Sequence, residues 1–163
     1  MKIALLSDVH DRTENMLLAL HAAKEAGCTR LFYMGDIVEI STLKLLLEEW
    51  QMPVDIVFGN NEYDRAAHQS IASLFPDAVH HGDEAALEIE HRNIYFTHLP
   101  YRASAKAESG NYHAVFFGHT HVAEKFIHIG TLVVNPGEVG GVRRPSGFAV
   151  YDTATNDVSF YRI

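Results

Sequence analysis

The chain has 163 residues, an apolar share of 47% and a formal net charge of −8, from 13 Lys and Arg against 21 Asp and Glu. The length fits a single domain over residues 1–163, with enough apolar residues for a packed core. The acidic balance argues against a nucleic-acid backbone as main partner, since such binding rests on Lys and Arg, and no run reaches the ~20 apolar residues of a bilayer span.

The start, Met1 to Asp8, lacks the apolar region and cleavage site of a secretory signal and reads as a buried strand over 2–7. Residues 13–26 carry Met16, Leu17, Leu20 and Ala23 at helical spacing, and Gly27 ends that helix. A second strand covers 30–34 and ends at Gly35-Asp36. A helix over 41–50, with Ser41 as its cap, leads to a strand over 54–58 and a helix over 63–74. Strands joined by helices imply a parallel sheet. Further on, 86–90 and 93–97 form a hairpin around His91-Arg92, 104–109 a short helix, and 114–117 a buried strand. The stretches 126–129, 132–134, 148–152 and 158–162 read as mostly antiparallel strands. The expected fold is α/β, a two-sheet β-sandwich flanked by helices. One cysteine, Cys28, excludes an internal disulfide framework, and a cytoplasmic location is expected.

The informative polar side chains follow strand ends: Asp8 and His10, then Asp36, Asn60, His98, and His119 with His121. Open α/β sheets gather ligands at the carboxyl ends of their strands. Glycines 35, 59 and 118 precede three of these positions and permit tight turns. Carboxylate, imidazole and amide donors without thiolate suit Mn²⁺, Ni²⁺, Fe or Zn²⁺ better than Ca²⁺. Bound cations would also supply the positive charge that an acidic chain needs to hold a phosphate ester.

These residues resemble the calcineurin-like metallophosphoesterases. The matching motifs are Asp8-Val9-His10, Gly35-Asp36, Gly59-Asn60-Asn61-Glu62, His98 and Gly118-His119-Thr120-His121, in the family's order and across nearly the whole chain. The small size and Asn135-Pro136-Gly137-Glu138 look like its compact prokaryotic phosphodiesterase branch. The resemblance implies two divalent metal ions, Mn²⁺ first among them. Asp8, His10, Asp36 and His121 would hold one, and Asp36, Asn60, His98 and His119 the other. Asp36 would bridge them, and a hydroxide between the metals would attack phosphorus. Catalysis would then run through Asp36, Asn60 and His98, with Asn61 a candidate phosphate contact.

Two positions depart from the family pattern. Asn61 stands where many relatives carry His, and Leu99-Pro100 where many read Gly-His. Asn cannot act as a general acid, which predicts esters with acidic leaving groups and diesters over monoesters. Pro100 is expected to stiffen its loop. Glu62 reads as structural, Glu39 as a solvated or capping residue, and Arg143-Arg144 as a solvated loop with a phosphate contact as the alternative. The expected partner is a small phosphate ester, with self-association open. The rival reading is a scaffold of the same fold that recruits partner proteins, as a retromer subunit resembling this family does.

Overall fold

A computed structural model describes residues 1–163. Eleven strands and four helices run in the order β1 (Lys2–Leu6), α1 (Thr13–Glu25), β2 (Arg30–Tyr33), α2 (Ile40–Trp50), β3 (Val54–Ile56), α3 (Arg65–Ala72), β4 (Ala78–His80), β5 (Glu84–Ile89), β6 (Arg92–Thr97), α4 (Pro100–Glu108), β7 (Ala114–Phe116), β8 (Glu124–His128), β9 (Thr131–Asn135), β10 (Gly147–Asp152) and β11 (Asp157–Arg162). One sheet has the order β11-β10-β1-β2-β3-β4 and the other β5-β6-β7-β9-β8. The strands β1 to β4 are mutually parallel, and β10 closes that block antiparallel to β1. In the second sheet β6, β7 and β9 are parallel, with antiparallel β5 and β8 at its edges.

The pleat of β1 explains the layering. Ile3 and Leu5 face the second sheet and join Phe32, Met34, Phe96, Phe116 and Tyr151 in the layer between sheets. Ala4 and Leu6 face the other way, into a core with Met16, Leu20, Leu43, Leu47 and Trp50 of α1 and α2. A strand buried on both faces reads as a continuous apolar run, as 3–6 does. On the outer face of the second sheet, Ala103 and Ala107 of α4 pack on Tyr95, Val115 and Val133. The α/β two-sheet sandwich flanked by helices is therefore the observed architecture.

Two local expectations are corrected, and one strand is added. Ser41 is not the cap: α2 begins at Ile40 behind Glu39, with no capping side-chain bond. Pro100 does not stiffen a loop but opens α4, four residues ahead of the expected start; an N-terminal helical N–H lacks an intrahelical partner, so proline loses nothing there. The strand β4 was unforeseen because Ala78-Val79-His80 is short and only partly buried. It forms because β3 offers an open parallel edge.

Candidate metal centre

All seven candidate ligands converge at the carboxyl ends of β1, β2, β3, β6 and β7. Five of them have positive φ: Asp8 56°, His10 46°, Asp36 66°, His119 70° and His121 63°. An L residue in that region costs about 1–2 kcal/mol. Five such residues at one place indicate that the folded structure holds the turns against their preference. The left-handed turn lets the chain reverse right after the strand, which leaves each side chain aimed into the cluster. The glycines serve the same geometry. A Cβ on Gly59 would collide with Asp36 Oδ1, and one on Gly118 with Ser7 Oγ.

One grouping contains Asp8, His10 and His121. His121 Nε2 lies 3.3 Å and His10 Nε2 3.8 Å from Asp8 Oδ1, and the two imidazole nitrogens are 3.4 Å apart. The other contains Asn60, His98 and His119. His98 Nε2 is 3.0 Å and His119 Nδ1 2.8 Å from Asn60 Oδ1, with 3.2 Å between the two nitrogens. Asp36 stands between the groupings. Its Oδ2 is 3.7 Å from His10 Nε2 and 3.5 Å from His98 Nε2. Its Oδ1 accepts the backbone N–H of Asn60 and of Asn61, each at 3.0 Å. One oxygen is anchored by backbone, and the other faces both groupings.

Hydrogen bonds behind the cluster assign the histidine tautomers. His98 Nδ1–H donates to Met34 O at 2.7 Å, and His121 Nδ1–H donates to Glu138 Oε2 at 2.7 Å. Both Nε2 atoms therefore present lone pairs inward. Burial lowers His10 and His98 below the usual imidazole value despite the opposing Asp36 charge, which favours the neutral, ligating form. Asp8 Oδ1 is fully buried without a hydrogen-bond partner. Burial pushes Asp8 up to about 7; the Ser7 side chain and His121 oppose this, and Asp36 adds to it. Lone pairs and an orphaned carboxylate oxygen facing one another are the arrangement that a cation satisfies. The residues present thus fit divalent metal, and the donor types match the transition-metal set named above.

Asn61 turns its side-chain amide onto Asp36 Oδ2 at 2.7 Å. Glu62 is buried and ties two loops together, accepting from Ile37 N at 2.9 Å and Gly59 N at 2.8 Å. Burial and the Asp36 charge push Glu62 up to about 7. Glu39 is exposed and takes part through its backbone: its N–H donates to Asp11 Oδ1, and its carbonyl accepts from Thr42 N and Leu43 N at the start of α2.

Sequence reasoning gave no role to Glu138, which is 1% exposed. Besides His121, its carboxylate accepts from Val142 N at 3.0 Å, Arg143 N at 2.6 Å and Arg144 N. Burial raises its pKa, but those donors outweigh it and hold the carboxyl below the usual range. The available signal was positional: Glu138 follows the end of β9 after a Pro-Gly turn, as the other site residues follow their strands. Asn135, the last residue of β9, braces the histidine loop by donating to Gly118 O and Thr120 Oγ1, each at 2.9 Å.

A two-sheet sandwich with converging Asp, Asn and His at its strand ends defines the class. Residues 1–156 match the calcineurin-like phosphoesterase superfamily domain, and the chain belongs to that family of metal-dependent phosphoester hydrolases. It is 28% identical over 145 residues, 86% of each chain, to the phosphodiesterase MJ0936 of Methanocaldococcus jannaschii. It is 26% identical over 167 residues to the probable metallophosphoesterase YsnB of Bacillus subtilis, covering 99% of this chain and 89% of that one. A solved structure described as a novel archaeal phosphodiesterase shares the fold at a TM-score of 0.92 and 24% identity, covering 100% of both chains. Vps29 from Entamoeba histolytica shares it at 0.68 and 14% identity, covering 100% of this chain and 98% of that one.

Proposed function

We propose that the protein is a phosphodiesterase with a dinuclear metal centre, Mn²⁺ first among the candidate ions. The observation that carries this reading is the pair of donor groupings that share Asp36 Oδ2. Asp8, His10, Asp36 and His121 would hold one cation, and Asp36, Asn60, His98 and His119 the other. When bound, such a pair supplies an acidified water as nucleophile and neutralises charge on the phosphoryl oxygens.

The chain's own residues set the rest. Glu138 and the Met34 carbonyl fix the imidazole tautomers, and Asn61 with two backbone N–H groups orients Asp36. Every imidazole of the centre faces a ligand position, and the Asn61 amide carries no acidic proton. The leaving group therefore departs without proton donation, which favours aryl and other acidic leaving groups. No lysine or arginine is among the converging side chains to balance a monoester dianion, which favours diesters. The phosphodiesterase named among the relatives supports the same preference.

The test is chelation, metal content on reloading, and turnover of bis(4-nitrophenyl) phosphate against 4-nitrophenyl phosphate under added Mn²⁺. The expected result is about two metal equivalents and faster diester turnover. Faster monoester turnover would overturn the preference. A protein that binds no metal and hydrolyses neither ester would favour the scaffold reading that the shared Vps29 fold represents.

A further inference from the structure

A groove of about 360 Å³ opens beside the metal centre, with His121, Val122, Arg144, Phe160, Tyr161 and Arg162 among its walls. No carboxylate lines it, although the chain has 21 Asp and Glu against 13 Lys and Arg. Arg30, Arg65 and Arg102 pair with carboxylates within 4 Å, whereas Arg144 and Arg162 have no such partner. In so acidic a chain, two unpaired guanidinium groups in one acid-free groove make a positive spot that attracts an anion. The groove also exposes apolar surface: Val122 is 41% and Phe160 42% accessible.

We propose that this groove is a second-anion subsite that takes the far arm of a phosphodiester, an arm bearing a planar ring and a further phosphate, as in a phosphorylated dinucleotide. The assignment rests on the phosphodiesterase reading above and adds a substrate class to it. His121 belongs both to the metal-side cluster and to the groove wall, so the two sites are contiguous. Arg144 lines the groove, and Arg143 precedes it on the same loop. The loop that carries them is fixed before binding, because Glu138 accepts three of its backbone N–H groups; a fixed loop loses less freedom when the ligand arrives. Guanidinium forks match phosphate oxygens, and the exposed Phe160 ring offers a face for a base.

The experiment compares 5′-phosphorylated and unphosphorylated thymidine dinucleotides as substrates of the Mn²⁺-loaded protein. Calorimetry with phosphorothioate versions of both reads binding without turnover. The wild type should favour the phosphorylated dinucleotide in kcat/KM and in affinity by about tenfold or more, the size of a charge-assisted contact. Arg144→Ala and Arg162→Ala should bring that ratio towards one, and Phe160→Ala should weaken both dinucleotides together. Equal kcat/KM and equal affinity for the two dinucleotides in the wild type would overturn the subsite. If bis(4-nitrophenyl) phosphate is still hydrolysed in that case, the phosphodiesterase reading stands without the subsite. If no ester is hydrolysed, that reading falls, and calorimetry alone decides the groove: a phosphate-dependent affinity lost in Arg144→Ala supports it, and its absence sinks it.

Discussion

Glu138→Gln is the most discriminating single change to the proposed metal centre, because it alters one atom of a buried carboxylate that faces four donors. In the wild type, Oε2 accepts from His121 Nδ1–H and Val142 N, and Oε1 from Arg143 N and Arg144 N. An amide keeps only one acceptor oxygen. If that oxygen stays with Arg143 and Arg144, the NH₂ group faces His121, donates to Nδ1 and drives the proton onto Nε2. The imidazole then points N–H, not a lone pair, at Asp8 Oδ1, 3.3 Å away. If the amide flips, His121 is preserved and two loop N–H groups lose their acceptor. Removing such a partner from a metal-ligating histidine weakens the metal about 10- to 100-fold. Each buried N–H left unpaired costs about 1–3 kcal/mol, or a Tm fall of roughly 3–10 °C for a chain of this length. Titration with Mn²⁺ against a competing chelator should show one site weakened and the other near its wild-type affinity. Two unchanged affinities together with an unchanged Tm would refute the tautomer argument.

Three further outcomes are expected. Asp36→Asn should lower diester turnover by about 10³-fold or more, since one substitution weakens both cation positions; a variant with wild-type circular dichroism and undiminished turnover would remove Asp36 from the centre. Gly118→Ala places a methyl group against Ser7 Oγ and 3.0 Å from Asp8 Oδ2, so metal affinity should fall at least tenfold, by roughly the 1.4 kcal/mol that a modest side-chain displacement costs; an unchanged titration would show the loop yields freely. His80 is pushed down to about 4 by burial, with the charges of His68, His81 and Arg65 adding, and in its neutral form accepts Gly82 N–H at Nδ1, 3.2 Å away. Its folded value lies below the ordinary imidazole value of 6.5, so its stabilisation is complete above that pH and is lost as pH falls towards 4. Urea unfolding of His80→Gln should show about 2 kcal/mol less loss between pH 7 and 4.5 than wild type, discounted for the ring's partial exposure; equal losses would exclude His80 as the titrating group.

What the sequence determined by itself was the set of local patterns. Apolar runs marked β1, β2 and β7, helical spacing marked α1, and polar residues after strand ends marked the chemistry. These are legible because the period of the backbone and the position just past a strand are properties of contiguous residues. Where short-range signals were weak, the reading slipped: Ala78–His80 needed the open edge of β3, and Pro100 needed a helix start to occupy. Tertiary structure alone decided that one oxygen of Asp36 faces both groupings, that Glu138 reaches an imidazole 17 residues away, and that Arg144 and Arg162 share a groove with no acid. Those facts depend on strand order and register, which bring together atoms far apart in the chain, and no local pattern encodes the distance between them.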